Sequence, residues 1–557
     1  MALSDARQLF DADFPPTLPA LIQHAARTHA TREYLAGPER RLTFAETERE
    51  SARLARGLLA MGLGKGARVG LLMPNGPDWV TSFFAISRIG ALTVTLSTFF
   101  QSSEISWGIR HNDIDTLLIS AKYLNADYLE RLERAIPGLA DQRTPELAFA
   151  SHPFLRRIIV WGECDRPWAL KGPASLHAAA DARPQFDDTL LAATEANVVA
   201  ADWLVTICTS GTTAEPKAVV HSHGGALRAV RMFTHFFNHR PDDRLYTGQA
   251  FFWVGGLNVN IIPALFIGNC LCFARTPDVA DIVDTIVRER VTMLSLWAAQ
   301  GIGIAEHAAK VGADLSLIRR GLGQQCDEWG QLIPRDRQTI AMGMTETFGM
   351  HSMERYYVAA PAGKAGNWGR CVPGMERRVV DPETREDVAV GQAGELYVRG
   401  QALMIGYYKR EREETFTREG YFATGDLVSI DEDGYIYFHG RRTEMIKTSG
   451  ANVSPREVEA SMSKLEGVRE AIVFGVPDPI RGEVVVAVAV PMEGWALEEA
   501  TLREALKKEI SSYKVPKHIF FMGFDEIPRT GSQKVRKGDL RNLLEPRIAA
   551  GGAADRT

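Results

Sequence analysis

The sequence predicts an α/β protein: a large N-terminal region of α/β subdomains, an antiparallel β subdomain, and a small α+β domain at the C-terminus. Three successive patterns along the 557 residues predict it. Helix-period segments alternate with short apolar runs in the first part of the chain, and strand-period alternation takes over beyond about residue 365. A mixed helix and strand rhythm then fills roughly the last 115 residues, enough for a separate small domain.

Each element has a local reason. Thr43-Phe44-Ala45-Glu46 reads as a capping box opening a helix in which Leu54, Leu58 and Met61 recur at helical spacing until Gly62 and Gly64 stop it. The apolar run 69–73, ended by Pro74-Asn75-Gly76, predicts a buried strand and a turn, and residues 79–89 predict the next helix. The pattern recurs from Asp278, with a helix through Ile282, Ile286 and Val287 and then an apolar strand over 291–296. Glu395-Leu396-Tyr397-Val398 and Tyr435-Ile436-Tyr437-Phe438, separated by Gly and Asp turns, have the texture of antiparallel sheet. In the C-terminal part, 454–463 and 502–511 read as helices, and 471–476 and 484–490 as strands. The Ala/Gly-rich tail 549–557 is expected to be mobile.

Composition excludes several classes. Lys+Arg at 64 against Asp+Glu at 69 gives a net charge of −5, so no global basic field attracts nucleic acid. The cysteines, Cys164, Cys208, Cys270, Cys272, Cys326 and Cys371, are too sparse for a disulfide scaffold and form no C-x-x-C pair, which fits a reducing cytoplasm. The N-terminus has no apolar core of a signal peptide. Residues 245–274 carry no charge and are long enough to span a bilayer, but Pro263, Asn258, Asn260, Asn269 and several glycines interrupt them. They read as a buried segment near a ligand pocket, not a transmembrane segment.

The chemistry begins at Thr209-Ser210-Gly211-Thr212-Thr213-Ala214-Glu215-Pro216-Lys217, which follows the apolar run 203–208. A strand feeding a loop of hydroxyls, free backbone N–H groups and a cation is suited to a polyphosphate. It is not a Walker A loop: Pro216 stands where that motif needs its second glycine, and Ala218 where it needs the magnesium-binding hydroxyl.

The loop resembles the signature of the acyl-adenylate-forming (AMP-binding) superfamily, which reads roughly T-S-G-T-T-G-x-P-K-G, with Ala214 and Ala218 in place of its flexible glycines. Further matches follow in the family's order. They are Gly343-Met344-Thr345-Glu346, Gly366-Asn367-Trp368-Gly369-Arg370 with Pro373-Gly374, and Gly394-Glu395-Leu396-Tyr397-Val398-Arg399-Gly400. Tyr421-Phe422-Ala423-Thr424-Gly425-Asp426, Gly440-Arg441-Arg442-Thr443-Glu444-Met445-Ile446-Lys447 with Gly450, and Pro528-Arg529-Thr530-Gly531-Ser532-Gln533-Lys534 complete the set. The resemblance spans residues 20–545 and is strongest to acyl-CoA synthetases.

It implies an ATP-dependent acyl-CoA ligase of hydrophobic, fatty-acid-like or ring-bearing carboxylic acids, with ATP, Mg²⁺ and coenzyme A. It implies a cytoplasmic enzyme, compatible with a homodimer. Thr209, Ser210, Gly211, Thr212, Thr213 and Lys217 would hold the β- and γ-phosphates, Thr345 the α-phosphate, and Glu346 the metal. Asp426 would bind the ribose, Arg441 would add a second ribose or phosphate contact, and Lys534 would be the catalytic lysine. Residues 1–441 would form the ATP and acid-binding domain, and 443–557 a mobile domain rotating about a hinge near 441–443, with Thr443 where relatives carry Asp or Lys. Ser449, Gly450 and Ala451 would line the coenzyme A tunnel.

The departures lie in the substrate half. Met342 stands where an aromatic residue usually stacks on adenine, and Gly321-Leu322-Gly323-Gln324-Gln325, running on to Cys326, is the nearest counterpart of the family's Gly-Gly-Ala stretch. The pocket motif reads Phe251-Phe252-Trp253-Val254-Gly255-Gly256-Leu257; its aromatic residues would form an apolar acyl wall, and Gly255 and Gly256 would leave room for a bulky acid. An amino-acid-activating domain is disfavoured, since no acidic residue lies between 245 and 274 to meet an ammonium. Carrier-protein loading, a luciferase-like oxygenase, and a non-catalytic nucleotide-binding protein remain the alternatives.

Overall fold

The computed structural model describes residues 13–209, 217–296, 298–322, 325–327, 329, 331–442, 446–448, 451–453, 455–478, 482–510, 514–530 and 533–554. The chain divides into two compact units, Met1–Glu376 with Val398–Phe422, and Arg377–Tyr397 with Ala423–Thr557.

Two sheets organise the first unit. Among the described residues one has eight strands, in spatial order Gly406–Tyr407, Lys217–Ser222, Trp203–Thr209, Leu92–Thr95, Arg68–Leu72, Thr116–Ser120, Arg157–Trp161 and Ala169–Gly172. From Trp203–Thr209 onward neighbours run parallel, while Lys217–Ser222 and Gly406–Tyr407 add antiparallel at one edge. Parallel strands buried on both faces read as continuous apolar runs, which is why Leu72, Val94, Leu117, Ile119, Ile158 and Val160 share one core. The other sheet has five strands, with Met293–Ser295, Arg244–Thr247, Cys270–Cys272 and Glu33–Ala36 parallel and Arg41–Thr43 antiparallel at its edge.

The local expectations hold in this unit. The Thr43 hydroxyl accepts from Glu46 N, and the Glu46 carboxylate accepts from Thr43 N, opening the helix Phe44–Ala60. Pro77–Arg88 and Val279–Arg288 are helical. The uncharged stretch is a core segment: a strand to Thr247, a π-helical turn Gly256–Ile261, the short helix Ile262–Ile267 and the strand Cys270–Cys272. Among the described residues no helix is long and apolar enough to cross a membrane.

Phe422–Ile430 and Ile436–Arg441 form an antiparallel hairpin of a four-stranded sheet that also contains Gly394–Gly400. Farther on, Val468–Asp478 and Gly482–Pro491 pair antiparallel along their length, with His518–Phe521 added parallel to the latter. Alternate residues feed two cores. Val473, Val485, Ala487 and Ala489 pack with Val458, Met462, Leu502 and Leu506, and Phe474, Val486 and Val488 pack with Leu540 and Leu544. The final helix is Lys537–Ala554, so the tail read as mobile is helical over its first six residues, continuing the preceding turns through residues of high helix propensity such as Ala549, Ala550 and Ala553.

Candidate active site

The Thr345–Glu346 pair sits on a 3₁₀ turn, Thr345–Thr347, linking the antiparallel strands Met342–Met344 and Gly349–Met353. Two glycines make so tight a turn feasible. A Cβ on Gly343 would lie 2.3 Å from the Gly349 carbonyl oxygen, and one on Gly349, whose φ is +135°, would lie 2.2 Å from Asn258 Nδ2. The turn is anchored from outside as well. Asn258 Nδ2 donates to the Phe348 carbonyl at 2.7 Å, and Met404 N donates to the Glu346 carbonyl at 2.7 Å. His221 Nε2 donates to the Thr345 carbonyl at 2.7 Å; burial pushes its pKa down to about 4, so the ring is neutral at pH 7 and that donor defines its tautomer.

The Glu346 side chain is held too. Tyr407 donates its hydroxyl to Glu346 Oε1 at 2.8 Å, and the Lys217 ammonium lies 5.0 Å over the Tyr407 ring. Strand register explains this meeting: Val219 faces Tyr407 across the antiparallel pair, so Lys217, two residues away, lies on the same face. Thr209 and Lys217 pair across the base of the segment 210–216, with 3.4 Å from Thr209 Oγ1 to the Lys217 carbonyl. Ser210, Gly211, Thr212 and Thr213 lie outside the described residues.

The aromatic motif divides. Phe251 is fully buried, its ring 5.4 Å from Trp79 and 5.8 Å from Phe273, and its N–H donates to Asn75 Oδ1 at 2.8 Å. Phe252 packs edge-on to Trp253 at 5.1 Å and to the half-exposed Phe99 at 5.9 Å. It also lines a cavity of about 450 Å³, together with Asn75, Thr98, Tyr246 and Phe273. These residues lie at or just beyond the carboxyl ends of parallel strands from both sheets, where open α/β sheets bind ligands. At Gly256 a Cβ would fall 2.5 Å from the Ala250 carbonyl oxygen, against backbone, and at Gly255 it would fall 2.2 Å from Gln249 Oε1, the end of a flexible side chain. Gly256 therefore permits close packing instead of the expected room. Met342 is buried opposite Ser352, and in the segment after Gly321, Gln325 Nε2 donates to the Thr339 carbonyl at 2.8 Å; Gly323 and Gln324 lie outside the described residues.

In the second unit Asp426 and Arg441 are partners across the hairpin. Asp426 is buried, Arg441 Nε lies 2.7 Å from its Oδ1, and Arg441 Nη1 donates to the Thr424 carbonyl at 2.9 Å. Lys534 occupies a turn closed by Thr530 N donating to the Lys534 carbonyl at 2.8 Å and by Lys534 N donating to Thr530 Oγ1 at 3.1 Å. Arg529, on Glu470 at 2.6 Å, pins the turn's base, while the Lys534 side chain is exposed. Thr443, Ser449 and Gly450 lie outside the described residues, as does the side chain of Ala451, whose backbone opens the strand Ala451–Val453.

Sequence reading passed over Tyr407 and His221. A histidine ending the apolar run Val219-Val220-His221 is a buried polar group in search of a partner, and that was its available signal. Tyr407, in Gly406-Tyr407-Tyr408, carries no such signal before the strand pairing is known.

Sequence and structure comparisons identify the family. The family described as AMP-binding enzyme matches residues 22–408, and its C-terminal domain matches 457–534. The chain is similar to the indoleacetate–CoA ligase of Aromatoleum aromaticum, 31% identical over 91% of this chain and 94% of that one. It is similar to the 3-hydroxybenzoate–CoA/4-hydroxybenzoate–CoA ligase of Thauera aromatica, at 29% over 91% and 93%. The fold is that of the anthranilate CoA ligase AuaEII, solved in complex with anthranoyl-AMP, with a TM-score of 0.78 at 23% identity, covering 97% of this chain and 99% of that one. The chain belongs to the AMP-binding enzyme family.

Proposed function

We propose that this chain is an AMP-forming acid–CoA ligase acting on a hydrophobic carboxylic acid. The observation that carries the reading is the turn bearing Thr345 and Glu346, fixed through Tyr407 to the strand bearing Lys217. Similar proteins named as CoA ligases of indoleacetate and hydroxybenzoate support the acid class, as does the aromatic wall of Phe252, Trp253 and Phe99.

In this reading the acid's carboxylate attacks the α-phosphorus of ATP, forming acyl-AMP and releasing pyrophosphate. The thiol of coenzyme A then attacks the acyl carbonyl and displaces AMP. Both partners of the first step are anions, so cationic and hydrogen-bonding groups must offset their charge. Thr209, Ser210, Gly211, Thr212, Thr213 and Lys217 bind the β- and γ-phosphates, Thr345 contacts the α-phosphate, and Asp426 with Arg441 binds the ribose. Met342 packs near adenine. Lys534 stabilises the charge that develops between carboxylate and α-phosphorus. A single carboxylate, Glu346, fits Mg²⁺, which is commonly held by one or two protein carboxylates and the substrate's own phosphates. When bound, the ion neutralises phosphate charge. Residues 443–557 rotate about 441–443 between the two half-reactions, and Ser449, Gly450 and Ala451 then admit the pantetheine arm. The enzyme works in the cytoplasm, and a homodimer is its proposed assembly.

Incubation with ATP, coenzyme A and a panel of acids tests this. AMP and pyrophosphate are the expected products, and ADP as the main product would overturn the reading. Ring-bearing acids or octanoate should outcompete acetate, since each buried methylene contributes about 0.8 kcal/mol. Equal turnover of acetate removes the hydrophobic assignment.

A further inference from the structure

Tyr407 joins two groups that the proposed function uses separately. Its hydroxyl donates to Glu346 Oε1 at 2.8 Å, and its ring lies 5.0 Å beneath the Lys217 ammonium. Its position is fixed on both sides. Ile405 N donates to the Val220 carbonyl at 2.9 Å and Tyr408 N to the Ala218 carbonyl at 2.8 Å, while Met404 N holds the Glu346 carbonyl at 2.7 Å. Tyr407 itself is buried. The short strand Gly406–Tyr407 therefore sets the spacing between the Glu346 turn and the strand that begins at Lys217.

We infer that Tyr407 is a positioning residue for magnesium-bound triphosphate, an inference that rests on the roles proposed above for Glu346 and Lys217. Its hydroxyl occupies one oxygen of the carboxylate and turns the other toward the ligand; its ring keeps the lysine on the same face. A phenol suits both tasks, because it donates to an anion through its edge and attracts a cation with its face. Tyr407 touches no reacting atom, so its contribution is to affinity for the metal and the β- and γ-phosphates.

Tyr407→Phe keeps the ring and removes only the hydroxyl. The measurements are calorimetric binding of magnesium with α,β-methylene-ATP, binding of AMP, and the two half-reactions, each beside Glu346→Gln. For Tyr407→Phe, binding of the magnesium–nucleotide complex should weaken about tenfold, as expected for loss of a hydrogen bond to a charged group. The magnesium concentration for half-maximal adenylation should rise in parallel. AMP affinity and thioester formation from supplied acyl-AMP should stay unchanged. Tyr407→Leu, which also removes the ring beneath Lys217, should weaken triphosphate binding further than Tyr407→Phe. If Glu346→Gln shifts the magnesium requirement and Tyr407→Phe does not, the positioning role is overturned while the functional reading stands. If Glu346→Gln leaves the requirement unmoved, both fall. An equal loss of AMP and triphosphate affinity in Tyr407→Phe also overturns the inference, since it marks a general packing role.

Discussion

The turn that carries Glu346 and the turn that carries Lys534 are both closed by backbone hydrogen bonds, yet one holds its side chain and the other releases it. Phe348 N returns to the Thr345 carbonyl at 3.0 Å, and Glu346 is then gripped by Tyr407. Thr530 N returns to the Lys534 carbonyl at 2.8 Å, but among the described residues the Lys534 ammonium has no partner. The difference follows from what each group is proposed to do. An acceptor that meets a bound metal gains from being placed beforehand, because the reorganisation has already been made. A lysine used in one half-reaction and withdrawn in the other gains nothing from a resting partner, which would compete with the transition state. Its freedom costs about 2 kcal/mol of side-chain entropy when it engages.

Breaking the held turn should have the largest effect. A methyl group on Gly349 would meet Asn258 Nδ2 at 2.2 Å and the Phe233 ring at 2.7 Å, at a φ that side chains rarely adopt. Gly349→Ala should lower stability by about 4 kcal/mol, combining backbone strain with overpacking. Denaturant unfolding of the purified variant checks this. A midpoint equal to the parent's would show that the turn yields easily.

Removing the released side chain should do the opposite. Lys534→Ala should cut acyl-adenylate formation by about 10²-fold or more, with unfolding unchanged and thioester formation from supplied acyl-AMP largely intact. Equal losses in both half-reactions would show that Lys534 anchors structure.

Acid should separate the two units, with a smaller effect per group. Burial pushes His221 and His223 down to about 4 and His239 to about 3, all in the first unit. Each is neutral when folded, with an unfolded value near 6.5. Between those values the unfolded chain binds more protons, so this stability is fully present above pH 6.5 and is lost as the pH falls toward 4. For His223, whose Nδ1 accepts from Leu18 N at 3.1 Å, the loss is about 2 kcal/mol by pH 5. Hydrogen exchange at pH 7 and pH 5 should show the first unit losing protection earlier, and His223→Gln should flatten part of the slope. An earlier loss in the second unit would contradict this.

Much of the fold was legible because its signals are local. The capping hydroxyl of Thr43, the apolar run 69–73 and the strand 484–490 each need only neighbours in sequence to be read. The site was legible as motifs but not as geometry. Glu346 and Lys534 could be named from their surroundings in the chain, whereas the grip of Tyr407 on Glu346 depends on an edge strand pairing with Lys217–Ser222, nearly two hundred residues away. The glycine at 256 shows the opposite error. Small residues in an apolar segment suggested space, but its missing side chain is what lets the Ala250 backbone come close. Absence of a side chain can mark close approach of backbone as at Gly256, and sequence alone does not separate that from a cavity.

The smallest effect is a control on the held carboxylate. Glu46 is gripped as Glu346 is, with the Thr43 hydroxyl 2.8 Å from Oε2 and the Thr43 N–H donating to the same oxygen at 2.8 Å. These bonds hold the Glu46 carboxyl below the usual carboxylate range. The setting differs: this pair caps the helix Phe44–Ala60, where the carboxylate satisfies an otherwise unpaired donor. Thr43→Ala should therefore cost about 1 kcal/mol of stability and leave magnesium requirement, nucleotide affinity and both half-reactions unchanged. Tyr407→Phe removes a hydroxyl donor from a carboxylate just as Thr43→Ala does, but should alter magnesium and triphosphate binding, which Thr43→Ala leaves unchanged. If Thr43→Ala shifted the magnesium requirement as Tyr407→Phe does, the response would be a general consequence of loosening the first unit. If metal dependence moves in Tyr407→Phe and not in Thr43→Ala, the two grips differ in what they serve: one closes a helix, and the other places a ligand-binding group.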